Sequence, residues 1–191
     1  MICTIAPDHY ARPVPAPEDM REIIRLFAQI ALLRSGPQDL PASRLLLVLT
    51  LAAYLAVSFL LSSVLPPMKG WEAPLLVDAL FTLVWYIALL RLVGRPERTL
   101  QTATAVFGLQ ALLAPLSIAS EWLARRFAED ATWQIPVTCA ALLLIVWLVA
   151  ASSHIVKAAL EWSGAASVAL VILQMLAGWL LLLALFPPAS A

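Results

Sequence analysis

Five stretches of this chain stay apolar for about 20 residues each, the length an α-helix needs to cross a hydrocarbon layer. Each is bounded by proline or charge or by small polar residues. Leu45–Leu65 has no charged residue, begins after Arg44 and stops at Pro66-Pro67. Leu75–Val93 follows Pro74, which costs nothing in a first helical turn because the N–H it lacks would have no partner there; Asp78 lies near its start and Arg91 near its end. Gln101–Ala119 is diluted by Thr, Gln and Ser, and Pro115 is expected to kink it. Ile135–Ile155 has Pro136 at its start, and Ser163–Phe186 ends at Pro187-Pro188. In a bilayer core every backbone N–H and C=O must find its partner inside the protein, so apolar runs of this length fold as helices. The sequence predicts an all-α fold, a polytopic transmembrane helix bundle of five spans.

Composition removes the alternatives. Of 191 residues, 62% are apolar and 13% charged, whereas a water-soluble domain has about 45–50% and about a quarter. A mean hydropathy of +0.91 excludes disorder over most of the chain. Twelve Lys and Arg balance twelve Asp and Glu, so no basic excess points to nucleic acid as a partner. Two cysteines, Cys3 and Cys139, build no disulfide framework.

The cations are unevenly placed around the spans. Arg12, Arg21, Arg25, Arg34 and Arg44 precede the first, Arg91, Arg95 and Arg98 lie between the second and third, and Lys157 lies between the fourth and fifth. The other side has only Lys69, Arg125 and Arg126. Positive loops stay inside, which predicts a cytoplasmic N-terminus and an outward C-terminus. Trp71, Trp122 and Trp133 then fall in outer loops, as an interfacial aromatic belt would. Compact loops and an Ala/Leu/Arg-rich composition point to a bacterial inner membrane, with the C-terminus in the periplasm.

Ahead of the spans, residues 1–19 are polar and punctuated by Pro7, Pro13, Pro15 and Pro17. They lack the basic-then-apolar order of a cleavable signal and read as a disordered cytoplasmic tail, with Met1 and Met20 both open as the start. Residues 20–34 predict a short amphipathic helix, with Arg21, Glu22, Arg25 and Gln29 on one side and Ile23, Ile24, Phe27, Ile30 and Ala31 on the other. Too short to span, this helix is expected to lie in the inner interface or to pack on the span ends or a partner protein, with Arg21, Arg25, Phe27 and Ile30 as contact residues. Ser35-Gly36-Pro37 breaks it, and Pro41 separates it from the first span. Glu121–Asp130, with Trp122, Leu123 and Phe127 among charges, is expected to form a second, smaller surface helix.

No arrangement of residues announces a reaction. There is no phosphate-binding glycine loop, no G-x-S-x-G, no H-E-x-x-H and no C-x-x-C. His9 and His154 are far apart, so neither a metal site nor a nucleophile–base pair is expected, and no cofactor is implied. What remains are polar residues inside spans, which are costly in hydrocarbon. Asp78 is either a proton- or cation-linked carboxylate or a helix-start carboxylate favoured by the dipole and headgroup water. Gln110 and Gln174, near mid-span, suit interhelical hydrogen bonds or a transport path. On a continuing helix His154, Lys157 and Glu161 share one face, with Lys157 and Glu161 as an i, i+4 ion pair.

Leu33-Arg34-Ser35-Gly36-Pro37 leading into Arg44, and Trp147-Leu148-Val149 through His154, Lys157 and Ala158, give the chain a layout that resembles the Yip1 family of integral membrane proteins over roughly residues 20–186. The resemblance implies a cytoplasmic N-terminal segment, five spans and a short outward C-terminus. Eukaryotic members, which work in vesicle traffic with small GTPases, have an Asp-Leu-Tyr-Gly-Pro signature. This chain has Gly36-Pro37-Gln38-Asp39-Leu40-Pro41 instead, so GTPase binding is not carried over. For bacterial members the resemblance implies no enzymatic role and transfers no site. The functional expectation is a non-enzymatic scaffold or assembly subunit that binds other membrane proteins or a second copy of itself. The alternatives are a small transporter using Asp78 with Gln110 or Gln174, and a lipid-organising protein.

Overall fold

The structure is a computed structural model and describes residues 17–64 and 70–187. It contains six α-helices: α1 (Pro17–Ala31), α2 (Arg44–Val64), α3 (Glu72–Leu92), α4 (Thr99–Arg126), α5 (Ala131–Leu160) and α6 (Gly164–Leu185). Short 3-10 turns at Pro37–Asp39 and Pro96–Arg98 complete it, and no strand occurs among the described residues. Helices α2 to α6 are each long and apolar enough to cross a membrane, so the chain is an all-α integral membrane protein.

Local chemistry explains where the helices stop. Asp130 caps α5 by accepting from the Thr132 amide at 2.9 Å, and Ser163 caps α6 by accepting from the Ala166 amide at 3.3 Å. Helix α3 ends in a left-handed residue, Gly94 at φ 76°, whose amide donates to Arg91 O while the Arg95 amide donates to Leu90 O. Helix α1 closes with the same pair of bonds, Leu33 N to Ile30 O and Arg34 N to Gln29 O, but with Leu33 in the left-handed position at φ 61°.

Some boundaries differ from the expectation. Of the tail expected over 1–19, residues 1–16 lie outside the described residues, and Pro17–Asp19 form the first turn of α1. Glu121–Arg126 continues α4 rather than forming a separate surface helix. Helix α5 starts at Ala131, four residues earlier than expected, because Asp130 caps it there.

Helix α4 is the centre of the bundle. Every residue from Thr102 to Leu109 is buried, and more than half of its spanning window is covered by protein, against 6% for α5. Its Thr, Ala and Gly side chains let α2, α5 and α1 approach closely, as small residues do in membrane interfaces. One contact is at the limit: a Cβ at Gly108 would overlap the Phe27 ring of α1.

One end of the bundle, termed basal here, gathers the starts of α2, α4 and α6 and the ends of α3 and α5. Arg98 of the α3–α4 turn reaches the carbonyls of Ala158 and Ala159, and Gln101 reaches Leu40 O just ahead of α2. Helices α4 and α5 have 28 and 30 residues against 21 or 22 for the other spans. With basal ends level, their hairpin extends about 10 Å further at the opposite, distal end.

Replacing Gly108 with alanine is expected to destabilise the protein by about 1–3 kcal/mol in detergent thermal unfolding, the usual cost of overpacking. The cost should shrink in a Phe27→Leu background, which removes the overlapping ring.

Candidate functional site

The most elaborate polar construction in the molecule surrounds α1 and the segment after it. Ile23, Phe27, Ile30 and Ala31 are buried against the bundle, Ile30 completely. Trp147 Nε1 donates to Ala31 O at 3.1 Å, and His154 Nε2 lies 3.1 Å from Ser35 O, which requires its hydrogen on Nε2. Gln101 Nε2 donates to Leu40 O at 2.8 Å and reaches Gln38 O at 3.4 Å.

These contacts set α1 upright. Trp147 lies thirteen residues from the basal end of α5, about 20 Å along it, and Gly108 lies nine from the start of α4, about 14 Å. Phe27 to Ala31 covers the same rise, about 6 Å. His154 and Gln101 then meet the chain at successively lower levels as it returns to Arg44. Segment 17–43 therefore goes in from the basal end, turns near mid-depth and comes back on the same side. This is a hairpin laid on the bundle, and Phe27 and Ile30 pack there on the spans, one of the placements expected for this helix. Arg21 and Arg25 remain exposed on the opposite face.

The returning backbone is non-helical, and many of its polar groups find partners within the protein. The amides of Asp39, Leu40 and Ser43 donate to Gly36 O, Pro37 O and Pro41 O. The Gly36 amide donates to Asp39 Oδ2 at 2.9 Å. Pro37 and Pro41 have no amide N–H to satisfy.

At the basal rim, Glu161 bridges two arginines, Arg95 and Arg98, both at 2.7 Å. The ion pair expected between Lys157 and Glu161 does not form, because α5 ends at Leu160 and Glu161 turns into the left-handed region at φ 58°. Arg98 also supplies donors to the last turn of α5, so one guanidinium both caps that helix and holds its terminal carboxylate. Hydrogen bonds from Arg95 and Arg98 hold the Glu161 carboxyl down to about 2, and the same bond to Glu161 raises Arg95 above its ordinary value.

The intramembrane candidates take separate places. Asp78 of α3 accepts from the Tyr54 hydroxyl of α2 at 3.4 Å and faces Gly178 of α6. Gln174, one turn basal of Gly178, is the α6 side chain near Tyr86. Asp78, Thr82 and Tyr86 thus form a polar line along α3, and Asp78 and Gln174 share the α3–α6 seam with different partners. Gln110 keeps a buried side-chain oxygen without a hydrogen-bond partner among the described residues. The crevice beside Tyr86, between Leu90, Thr102 and Val156, has no room for a water molecule. No group of His, Cys, Asp and Glu able to hold a metal occurs among the described residues.

Sequence reasoning missed Tyr54, Gln101 and Trp147, each an ordinary residue in an apolar or neutral stretch. A tryptophan or glutamine well inside a span is itself a signal, because its N–H needs a partner in hydrocarbon. Comparison with known protein families, curated proteins and solved structures finds no match for this chain.

Because the Glu161 carboxyl is lowered in the folded state, the contribution of this bridge is complete above its ordinary value of 4.5 and is lost as pH falls toward about 2. In thermal unfolding followed against pH, wild type is expected to lose its advantage over Glu161→Gln across that interval and to keep it above pH 5.

Proposed function

We propose that this chain is a non-enzymatic membrane subunit that assembles with another membrane-spanning helix, and that the distal half of α5 is its assembly face. One observation carries the reading: between Thr132 and Val146 every residue is exposed except Val137, Ala141 and Leu144, which are only half-buried. Of the other peripheral spans, α2 and α3 have 22% of their windows covered by protein and α6 has 11%, whereas α5 has 6%. Thr138 and Gln134 lie on this uncovered stretch beside Cys139, and such side chains serve as hydrogen-bonding groups between helices in a bilayer. In this reading the basal end faces the cytoplasm, supported by Arg44, Arg91, Arg95, Arg98 and Lys157 gathered there.

Cys139 supplies the test, since it is exposed on the face in question. A Cys3→Ser variant labelled at Cys139 with a benzophenone maleimide and photolysed in native membranes is expected to give one discrete protein adduct. A doubled mass would identify a second copy. Adducts with lipid alone would overturn the reading. Proton or solute flux in reconstituted vesicles, abolished by Asp78→Asn, would favour transport in its place.

A further inference from the structure

The outward face of α1 presents a physical problem that the bundle leaves unsolved. On this helix Arg21, Arg25 and Leu32 lie in one line directly opposite the buried Ile23, Phe27 and Ile30, with Ile24 beside them. Arg21, Arg25 and Arg34 are exposed, and none forms a salt bridge among the described residues. The one carboxylate with a described side chain on α1 is Glu22, exposed a quarter-turn to the side. With Ala31 held about 20 Å above the basal end, Arg25 starts at about 11 Å and Arg21 at about 5 Å. Arg21 and Arg25, without a salt-bridge partner among the described residues, therefore stand beside apolar surface near the basal end, where charge is expensive unless it meets an opposite charge.

The direction of the helix supplies the solution. Side chains lean toward the N-terminus of an α-helix, and the N-terminus of α1 points basally. Arg21 and Arg25 thus extend down toward the basal headgroups, their methylenes along apolar surface and their guanidinium groups at phosphate level. Ile24, Leu32 and Leu33 are 58%, 49% and 44% exposed around them, an apolar surface for acyl chains. We propose that the outward face of α1 is a seat for anionic phospholipid, holding phosphates of the basal leaflet against Arg21 and Arg25. Guanidinium forks match phosphate oxygens in bidentate geometry. This surface is distinct from the distal face of α5, so the seat stands or falls apart from the assembly reading.

The test uses the full-length protein in neutral detergent, titrated with equimolar phosphatidylglycerol and phosphatidylcholine and read by native mass spectrometry. Wild type is expected to retain phosphatidylglycerol preferentially, and added salt to weaken the preference. R21Q/R25Q is expected to lower phosphatidylglycerol affinity by about five-fold for each arginine engaged, while R21K/R25K keeps most of it. The distal control R125Q/R126Q leaves it unchanged. Equal retention of the two lipids by wild type, or an undiminished preference in the glutamine variant, overturns the seat. So does a benzophenone amino acid at position 24 that captures protein rather than phospholipid in native membranes.

Discussion

Hydrocarbon offers nothing to hydrogen-bond, so a stretch of non-helical backbone can sit at membrane depth only if protein satisfies it. In this molecule that constraint falls on the return from α1 to α2. It is met from two sides: locally, by turns that pair amides with carbonyls and by prolines that have no amide to pair; and from a distance, by Trp147, His154 and Gln101 reaching three levels of the same strand of backbone. Without the three side chains, the carbonyls of Ala31, Ser35 and Leu40 would lose these partners.

The hairpin in turn dictates the character of α4. A helix that must accept α2 on one side, α5 on another and the Phe27 ring at Gly108 can have little side-chain bulk along those faces. Threonine, alanine and glycine supply five of the eight residues from Thr102 to Leu109, beside Val106, Phe107 and Leu109, and the run is buried throughout. Low hydropathy in a span is here a mark of protein neighbours instead of lipid. The most apolar span, α6, is little covered, and α5 is covered less than α2, which is equally apolar.

Much of this was legible beforehand. Five spans, their order and an amphipathic segment ahead of them follow from apolar length and from the punctuation at Pro66-Pro67, Pro74 and Pro187. The polar character of Asp78 and His154 within apolar surroundings marked them, and both do make polar contacts across helices. The partner of each was not legible, because Tyr54 lies 24 residues from Asp78 and Ser35 lies 119 from His154, and periodicity has no reach beyond one helix. The amphipathic pattern of α1 could be drawn without saying which surface its apolar side meets; a bilayer, a partner and α4 all present the same demand. Glu161 was misjudged through a single backbone residue, since one left-handed φ at the end of α5 swings its carboxylate away from Lys157 and onto the α3–α4 turn.

The hairpin also has an implication for biosynthesis. Every group that fastens it, from Gln101 and Gly108 to Trp147 and His154, is encoded downstream of the segment it fastens. As the ribosome works forward, α1 emerges without a receptor and stays without one until α4 and most of α5 have been delivered. Helix α1, made before the groups that hold it, is therefore among the last elements of the bundle to reach its final position.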